Sequence, residues 1–395
     1  MSASCPSSTK HDIQPMTINK MPWPEVIRVS SKTSHIDKKL GLLQEMCCFQ
    51  LFFRAIVVNL HWTLPRNHSF VMPLIEHSTY QAPPFSGNAH LQTIIPSFFR
   101  KEETVAYERE TFEMPDGDFV YLDWARSAVP SSDLVIISHG LCGNTQRHYV
   151  LSLVHAFRAI QVDCLAWNFR LTGPSPGRLL KMTTSDSSEE LGWITEHAIA
   201  KGNYKRVFHV GYSMGGNICL LYLGREVRKL PAEVVGGAAF CATIDLPVCN
   251  SIMDLPSGKL YTWHFLRKIS KNMMAKHKQF PEQIDLEALA KVRSFREFDD
   301  HFTAPIMGFK NADDYWQKAS ACAWLHELQV PTLLVNPTND PFLGGQCYPV
   351  ECAEKSRFLY LEMPAEGGHC GFIGGKNREW WPATRSKEFF MQAVS

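Results

Sequence analysis

The stretch "RVFHVGYSMGGNICLLYLG", residues 206–224, most constrains the fold, because three glycines surround one serine between two apolar runs. The first run has the pattern of a buried strand, and the second that of a helix. Side chains at Gly211 or Gly215 would collide as strand and helix close on each other, and glycine avoids this at low cost. The G-x-S-x-G pattern is typical of a nucleophile elbow, which lifts the hydroxyl of Ser213 above a sheet. A glycine-rich turn without chemistry, as in a nucleotide-binding fold, is the alternative.

Strand and helix patterns alternate along the chain from residue 104 onward. This alternation predicts an α/β fold with a mostly parallel central sheet flanked by helices. The predicted strands are a hairpin over 104–126 and the runs 133–140, 162–170, 206–213, 233–242, 330–340 and 356–364, and the predicted helices are 148–160, 187–202 and 215–227. Between about 246 and 328 the alternation stops, and two further helices over 261–280 and 284–302 predict a helical lid insertion.

The composition is that of a globular protein without a charge bias. The chain has 395 residues, of which 45% are hydrophobic and 20% charged, and its formal net charge is +1. This balance gives no electrostatic case for a nucleic-acid partner. Twelve cysteines are scattered without a C-x-x-C pair, which argues against a zinc ribbon and against a thioredoxin-type site. We expect reduced thiols, a cytoplasmic location, and no metal or organic cofactor.

Residues 1–71 differ from the rest and predict a poorly defined N-terminal extension, followed by one α/β domain over 72–395. The extension holds eight Lys or Arg against four Asp or Glu and has no clear strand. It is a tail, a surface-docking segment, or sequence upstream of a true start at Met72. These alternatives stay open. No signal peptide is predicted, because residues 1–30 lack an apolar core segment.

The most lipid-like part of the extension is "MCCFQLFFRAIVVNL", residues 46–60. Gln50 and Arg54 interrupt it, and it is shorter than the roughly 20 residues that a membrane-spanning helix needs. An amphipathic surface helix is therefore the favoured interpretation. Contact of residues 40–65 with a membrane surface is the less favoured alternative.

A serine nucleophile needs a base, and the base needs an orienting acid. In a fold of this class the chain order is serine, acid, histidine. Of the histidines after Ser213, only His369 follows a predicted terminal strand, in the loop "EGGHCGF". Asp340 lies just past the preceding strand, in "VNPTNDPF". The other candidates for the acid are not expected at the carboxyl end of a strand; they are Asp313, Asp314 and Glu362. Ordinary loop roles for His369 and Asp340 are the alternative.

The tetrahedral intermediate of acyl transfer needs N–H donors at the forming oxyanion. One predicted donor is the backbone N–H of Met214, which follows the serine. The other is that of Leu141, in the loop "SHGLCGN" after the strand at 133–140. The neighbouring His139 precedes the serine, which is the wrong order for the base in this fold class, so we expect it to be structural.

With these residues identified, the chain resembles the YheT-like family of α/β-hydrolases, also called the AB-hydrolase-4 group. The resemblance covers about residues 72–392 and rests on eight motifs in order: "GNAHLQTIIPSFFR", "MPDGDFVYLDW", "SHGLCGN", "NFRLTGPSPG", "GYSMGGN", "SFREFDDHFTAPIMGFKNADDYW", "NPTNDPF" and "GGHCGF". At matching positions the charge-relay residues of the family fall on Ser213, Asp340 and His369. Leu171 departs from the pattern, because the family usually has glycine there, and this affects the expected shape of the loop.

The resemblance implies a serine hydrolase of carboxylic esters, some with lipid-like acyl chains, that acts on a small-molecule ester. The alternatives are a membrane-associated lipase, an acyltransferase that uses the same serine, and a non-catalytic binding protein on a hydrolase scaffold. Acyl-chain length, leaving group and oligomeric state are not predicted. For Asp299 and Asp300 in "FREFDDHFTAP", a structural role is favoured over metal or substrate binding.

Overall fold

The computed structural model describes residues 74–84, 86–171, 177–374 and 380–393. The predictions made for the extension over 1–71, including the surface helix at 46–60 and membrane contact through 40–65, lie outside these residues. Within them, nine strands form one sheet: β1 Leu74–Ile75, β2 Glu108–Glu113, β3 Phe119–Ala125, β4 Asp133–Ser138, β5 Asp163–Trp167, β6 Arg206–Tyr212, β7 Val234–Phe240, β8 Thr332–Val335 and β9 Leu359–Glu362.

The sheet has the strand order β1-β9-β8-β7-β6-β4-β5-β3-β2. In this spatial order, the seven strands from β1 at the edge to β5 are all parallel to their neighbours. β3 then pairs antiparallel with β5, and β2 pairs antiparallel with β3. The predicted hairpin is β2 and β3, with Glu113 opposite Phe119 at its turn. The predicted α/β fold with a mostly parallel sheet is thus confirmed.

Helices connect and cover the strands. Their bounds are α1 Ala89–Phe99, α2 His148–Arg158, α3 Ser188–Gly202, α4 Met214–Gly224, α5 Leu246–Asp254, α6 Lys259–His277, α7 Leu286–Lys291, α8 Phe295–Phe298, α9 Ala304–Met307, α10 Ala312–Ala319, α11 Val350–Lys355 and α12 Trp381–Ala393. Short 3-10 helices cover Val227–Lys229, Ala321–Glu327 and Gly345–Cys347, and a π-helix covers Asp299–Thr303.

The sheet separates two apolar cores, and β4 contributes to both because its side chains alternate between the faces. Leu134 and Ile136 pack into the core that holds α3 and α4. Val135 and Ile137 pack into the core that holds α2 and α12. This two-sided burial explains why β4 is a continuous apolar run in the sequence.

Helix α4 is buried at all of its residues. A helix that is apolar on every side is the kind that lies inside a protein rather than on its surface. The 3-10 helix Ala321–Glu327 packs closely on it, since a Cβ on Gly224 would lie 2.6 Å from the carbonyl oxygen of Trp324. Because α4 is packed on all sides, its first residue has a defined position, and so does Ser213, which directly precedes it.

The segment 246–328, called the lid segment from here on, contains α5 to α10 and the 3-10 helix Ala321–Glu327, joined by short turns. Part of it forms a small core of its own with Leu171 and Met182. The single helix predicted over 284–302 is wrong, because the chain there forms α7, α8 and the π-helix. The break has a local cause: Ser294 accepts a hydrogen bond from the N–H of Glu297, and the Glu297 carboxylate accepts one from the N–H of Arg293. Ser294 is thus the N-cap of a new helix, and the Glu297 carboxylate reaches back to the residue before the cap, an arrangement close to a capping box.

Within the four described stretches of chain, none of the helices combines the length and the apolar composition that crossing a membrane requires.

Candidate active site

Ser213 lies in a tight turn between β6 and α4, with a backbone φ of 54° and ψ of −121°. This is a strained conformation for a residue with a side chain. Its N–H donates a hydrogen bond to the carbonyl oxygen of Phe240 at the end of β7, at 2.9 Å. The turn leaves no space for side chains at its two glycines. A Cβ on Gly211 would lie 2.2 Å from the carbonyl oxygen of Gly215, and a Cβ on Gly215 would lie 2.3 Å from the carbonyl oxygen of His139. Glycine at both positions is therefore a steric requirement.

His369 connects Ser213 to Asp340 through both ring nitrogens. Its Nε2 lies 2.9 Å from the Ser213 Oγ, and its Nδ1 lies 2.9 Å from one Asp340 carboxylate oxygen and 3.1 Å from the other. The three residues come from loops at the carboxyl ends of β6, β8 and β9. The structure thus brings together the three side chains that the sequence singled out, in hydrogen-bonding order. The expectation that Glu362 does not lie at a strand end is wrong, because it is the last residue of β9, but its carboxylate is bonded to Arg385 at 2.7 Å.

The Asp340 carboxylate is fully buried and oriented by the backbone. Its Oδ1 accepts a hydrogen bond from the N–H of Phe342 at 2.9 Å, and the Phe342 ring packs against that of His369 with centroids 4.1 Å apart. Burial disfavours a charge on the His369 ring, but the Asp340 carboxylate and the neighbouring Cys370 together outweigh this and raise the pKa of His369. The arrangement favours a ring that can accept a proton.

The loop that carries His369 is held by residues that the sequence analysis gave no role. The side chain of Asn339 accepts a hydrogen bond from the N–H of Gly368 at 3.0 Å, and the Thr93 hydroxyl accepts one from the N–H of His369 at 2.9 Å. Thr93 lies on α1, which follows its N-cap residue Asn88. A local signal for this helix exists in the Asn88 cap, but nothing local predicts its contact with His369.

The loop after β4 forms a turn closed by a 2.9 Å hydrogen bond from the N–H of Gly143 to the carbonyl oxygen of Gly140. Cys142 occupies the left-handed position of this turn, with φ 55°. The hydroxyl of Tyr149 on α2 accepts a hydrogen bond from the N–H of Gly140 at 3.1 Å and ties the turn to the helix. Leu141, at the centre of the turn, lines the same cavity as Met214 and Ser213.

His139 is buried and bonded within its own loop. Its Nδ1 lies 2.8 Å from the carbonyl oxygen of Gly140, and its Nε2 accepts a hydrogen bond from the N–H of Phe169 at 3.3 Å. Burial lowers the pKa of His139 to about 4. The ring is therefore neutral with the proton on Nδ1, and both ring nitrogens form hydrogen bonds with backbone groups.

A cavity of about 140 Å³ adjoins Ser213. Residues of the lid segment supply much of its wall, and most of these are large and apolar: Leu246, Met253, Phe265, Ile269, Met273, Phe295, Phe298 and Trp316. An apolar cavity next to a hydroxyl suits a ligand with a hydrocarbon part.

Leu171, which departs from the family pattern, also lines this cavity. Its φ is 64°, in the left-handed region that favours glycine, and its side chain is buried. The backbone conformation is thus the one that a glycine would adopt without strain, and the leucine side chain fills space that a glycine would leave empty.

The two aspartates of "FREFDDHF" are hydrogen bonded within the lid segment. The Asp299 carboxylate accepts bonds from the Thr303 hydroxyl at 2.6 Å and the Trp316 indole N–H at 2.7 Å. Asp300 accepts one from the N–H of Ala312 at the start of α10, at 2.7 Å. Burial raises the pKa of Asp299 to about 6. These contacts join the π-helix to α10, as a structural role requires.

Comparison with known proteins agrees with this architecture. The family model described as alpha/beta hydrolase fold matches residues 133–376. The "Putative esterase YheT" of Escherichia coli K12 is 31% identical over 294 residues, which cover 73% of this chain and 85% of that protein. Mouse "Phospholipase ABHD3" is 29% identical over 72% of this chain and 71% of its own length. Yeast "Monoacylglycerol lipase" is 23% identical over 78% and 80%.

The resemblance seen in the sequence motifs is confirmed by these matches, and the relatives support a hydrolase activity. The matched region contains Ser213, Asp340 and His369. The chain therefore belongs to the α/β-hydrolase family, in the group that includes YheT of Escherichia coli.

Proposed function

We propose that this protein hydrolyses carboxylic esters through an acyl intermediate on Ser213. The observation that carries the proposal is the hydrogen-bonded series from the Ser213 Oγ to His369 Nε2, at 2.9 Å, and from His369 Nδ1 to Asp340. A histidine between a serine hydroxyl and a buried carboxylate is the arrangement that activates serine for nucleophilic attack.

In the proposed reaction His369 accepts the proton as the Ser213 Oγ attacks the ester carbonyl carbon. The N–H groups of Leu141 and Met214 stabilise the oxyanion of the tetrahedral intermediate. His369 then gives its proton to the departing alkoxide, which leaves as an alcohol. Water then attacks the acyl-serine while His369 accepts its proton, and His369 returns this proton to the Ser213 Oγ as the carboxylic acid is released. Asp340 keeps the His369 proton on Nδ1 and stabilises the imidazolium.

The acyl group of the substrate is proposed to occupy the apolar cavity beside Ser213. At about 140 Å³ the cavity resembles in size an engineered cavity of about 150 Å³ that binds benzene. A chain of about six carbon atoms therefore fits without movement of the lid segment. The names of the mouse and yeast relatives, a phospholipase and a monoacylglycerol lipase, support a lipid ester as the substrate, and the cavity favours a short acyl chain on that ester.

Two further properties stay predictions from the sequence. The cytoplasmic location rests on the twelve scattered cysteines, and those within the described residues are free thiols. Membrane-surface contact through residues 40–65 belongs to the alternative reading as a membrane-associated lipase. Small-molecule esters are the proposed substrates in either case.

Hydrolysis of p-nitrophenyl butanoate by the full chain tests the proposal. We expect turnover by the wild-type protein and none above background by Ser213→Ala, whose far-UV circular dichroism should be unchanged. The matched control is Ser251→Ala, which removes an exposed serine hydroxyl in α5 and should leave turnover unchanged. Absence of turnover with butanoate through palmitate esters, or full turnover by Ser213→Ala, would contradict it.

A further inference from the structure

Two cysteines approach His369 from different parts of the fold. Cys241 follows β7, and Cys370 follows His369 in the loop after β9. The two Sγ atoms and a ring nitrogen of His369 all lie within 4.8 Å of one another. Within the described residues, this is the one group of three or more histidine, cysteine or acidic side chains with such spacing.

We propose that Cys241, His369 and Cys370 form a binding site for a single thiophilic divalent cation such as Zn²⁺, and that occupancy of this site blocks the hydrolase. The metal-binding part of the proposal stands on the ligand geometry alone. The inhibitory part rests on the proposed function of His369 as the base.

The ligand set has the chemistry that zinc prefers. Zn²⁺ binds cysteine thiolates at about 2.3 Å and histidine nitrogens at about 2.0 Å, in a tetrahedron whose donor atoms are therefore less than about 4 Å apart. Donors already within 4.8 Å need only small rotations to reach that geometry. Both thiols lose their protons to solvent on binding, so two thiolates balance the charge of the ion. Three protein ligands leave the fourth position open to water.

The backbone contacts the Cys241 Sγ with one acceptor and one donor, and the neutral thiol donates to the carbonyl oxygen of Gly368 at 3.5 Å. The N–H of Cys370 donates a hydrogen bond to the Cys241 Sγ at 3.1 Å. Hydrogen bonds to the ligand atoms are a regular feature of protein metal sites, because they orient and stabilise the charged ligand. The same contact holds the two cysteines together before a metal arrives.

Both cysteines also occupy backbone conformations that do not favour cysteine. The φ of Cys241 is 50° and that of Cys370 is 57°. Glycine, asparagine and aspartate adopt this left-handed region most readily. Cysteine at these two positions is therefore not a consequence of backbone preference.

A metal at this site removes His369 from its hydrogen-bonded series, whichever ring nitrogen binds. Coordination through Nε2 displaces the Ser213 Oγ, and coordination through Nδ1 displaces the Asp340 carboxylate. When Nε2 binds the metal, its lone pair is no longer free to accept the serine proton. When Nδ1 binds, the single proton of the neutral ring lies on Nε2, which then has no free lone pair either. Binding of metal and proton transfer by His369 are thus mutually exclusive.

The other close pair of thiols lacks the third ligand. The Sγ atoms of Cys249 and Cys347 lie 3.5 Å apart and are buried, but they belong to no group of three or more ligands with such spacing among the described residues. A histidine beside two thiols therefore distinguishes the proposed site. No local pattern predicts this site, since Cys241 and Cys370 are 129 positions apart.

Titration of the full-length protein with Co²⁺ tests metal binding directly, because cobalt thiolates absorb in the near ultraviolet. In the wild-type protein and in Ser213→Ala, which retains all three ligands, we expect a thiolate-to-cobalt charge-transfer band that saturates at one Co²⁺ per protein chain. In Cys241→Ser and in Cys370→Ser the affinity should fall by at least about tenfold. Cys352→Ser, which changes a half-buried thiol on α11 outside the cluster, is the matched control and should behave as wild type.

Inhibition is measured separately with Zn²⁺. We expect Zn²⁺ to stop p-nitrophenyl butanoate hydrolysis by the wild-type protein, EDTA to restore it, and Cys370→Ser to need at least about tenfold more Zn²⁺. A cobalt band of equal strength and affinity in both cysteine variants would overturn the site. Its absence from the wild-type protein would do the same. Metal binding without loss of turnover would overturn only the inhibitory part, and metal binding in a protein without any turnover would show that the proposed function has failed instead.

Discussion

The turn at Ser213 depends on the absence of side chains at its neighbours. A Cβ on Gly215 would lie 2.3 Å from the carbonyl oxygen of His139 and 2.4 Å from that of Ser138, and both are backbone atoms that cannot rotate away. The close contact between β4 and α4 therefore exists only with glycine at this position.

Gly215→Ala is expected to lower the free energy of unfolding by about 1–3 kcal/mol or more, because the extra methyl group forces α4 away from β4. Urea denaturation followed by circular dichroism measures the change. Gly192→Ala is the matched control, since its Cβ would meet two ring atoms of the Tyr222 side chain, at 3.3 and 3.9 Å, and no backbone atom, and alanine favours a helix. Equal stability of Gly215→Ala and wild type would show that the turn is not closely packed.

Asp340→Asn is expected to reduce kcat/KM by about 10⁴-fold, because an amide does not hold the His369 proton on Nδ1. The pH dependence gives a second readout. The base must be neutral to accept a proton, so activity rises as the pH increases through the pKa of His369. The Asp340 carboxylate raises that pKa, so the residual activity of Asp340→Asn should persist to lower pH than that of wild type.

Asp254→Asn serves as the charge control for this experiment, because it removes an exposed carboxylate in α5 that has a distant Lys259 partner at 3.9 Å. Its pH profile should match that of wild type. An acidic limb that stays in place in Asp340→Asn would mean that Asp340 does not set the pKa of His369.

At the scale of elements, α1 acts as a support for the loop after β9. A Cβ on Gly371 would lie 1.9 Å from the carbonyl oxygen of Gln92, and one on Gly368 would lie 2.8 Å from that of Ala89. With the bond from the N–H of His369 to the Thr93 hydroxyl, these contacts seat the histidine loop on the helix. The stretch "NAHLQT" of the resemblance thereby acquires a physical role.

Thr93→Val keeps the shape of the side chain and removes the acceptor for the N–H of His369. We expect kcat to fall by about 10-fold to 100-fold with a nearly unchanged KM, since the substrate still binds while the base is displaced. Ser97→Ala is the control, because that hydroxyl only donates to the carbonyl oxygen of Thr93 one turn further along. A rise in KM without a change in kcat would assign Thr93 to substrate binding instead.

Some elements were predictable from local pattern and others were not. The buried strands and the order of Ser213, Asp340 and His369 followed from apolar runs and from the strand ends that these residues occupy. The break at Ser294 carries a local signal, the S-x-x-E pattern of a capping box, which the apolar periodicity over 284–302 obscured.

The rest depends on long-range contacts. The strand β1 has only two residues, and it exists because Leu74 pairs with Leu361. The bond between Thr93 and His369 joins residues 276 positions apart. Nothing local encodes either contact, so β1 and the supporting role of α1 required the structure.

For the whole molecule, the position of the lid segment relative to the sheet sets the size of the cavity. Leu171 and the apolar residues of the lid segment pack in a core of their own beside the cavity. The packing at this core leaves a volume of about 140 Å³ for the acyl group. The packing of the lid segment against the residues around the sheet therefore determines which acyl-chain length is preferred.

Across a series of p-nitrophenyl esters, kcat/KM is expected to be highest near butanoate and hexanoate and to fall toward palmitate, because longer chains exceed the cavity. Leu171→Gly should shift the optimum toward longer chains, since it removes a buried side chain from the wall at a position whose φ of 64° suits glycine. Leu255→Ala, which truncates an exposed leucine, is the control. A wild-type optimum at palmitate would contradict the proposed fit.

The residue that a fluorophosphonate labels tests the role of Ser213 as the nucleophile most directly. The reagent forms a covalent bond with an activated serine hydroxyl, and mass spectrometry of proteolytic peptides locates the adduct. We expect a single adduct on Ser213, its loss in Ser213→Ala, and much slower labelling in Asp340→Asn. An adduct on another residue, or undiminished labelling of Ser213→Ala, would contradict that role.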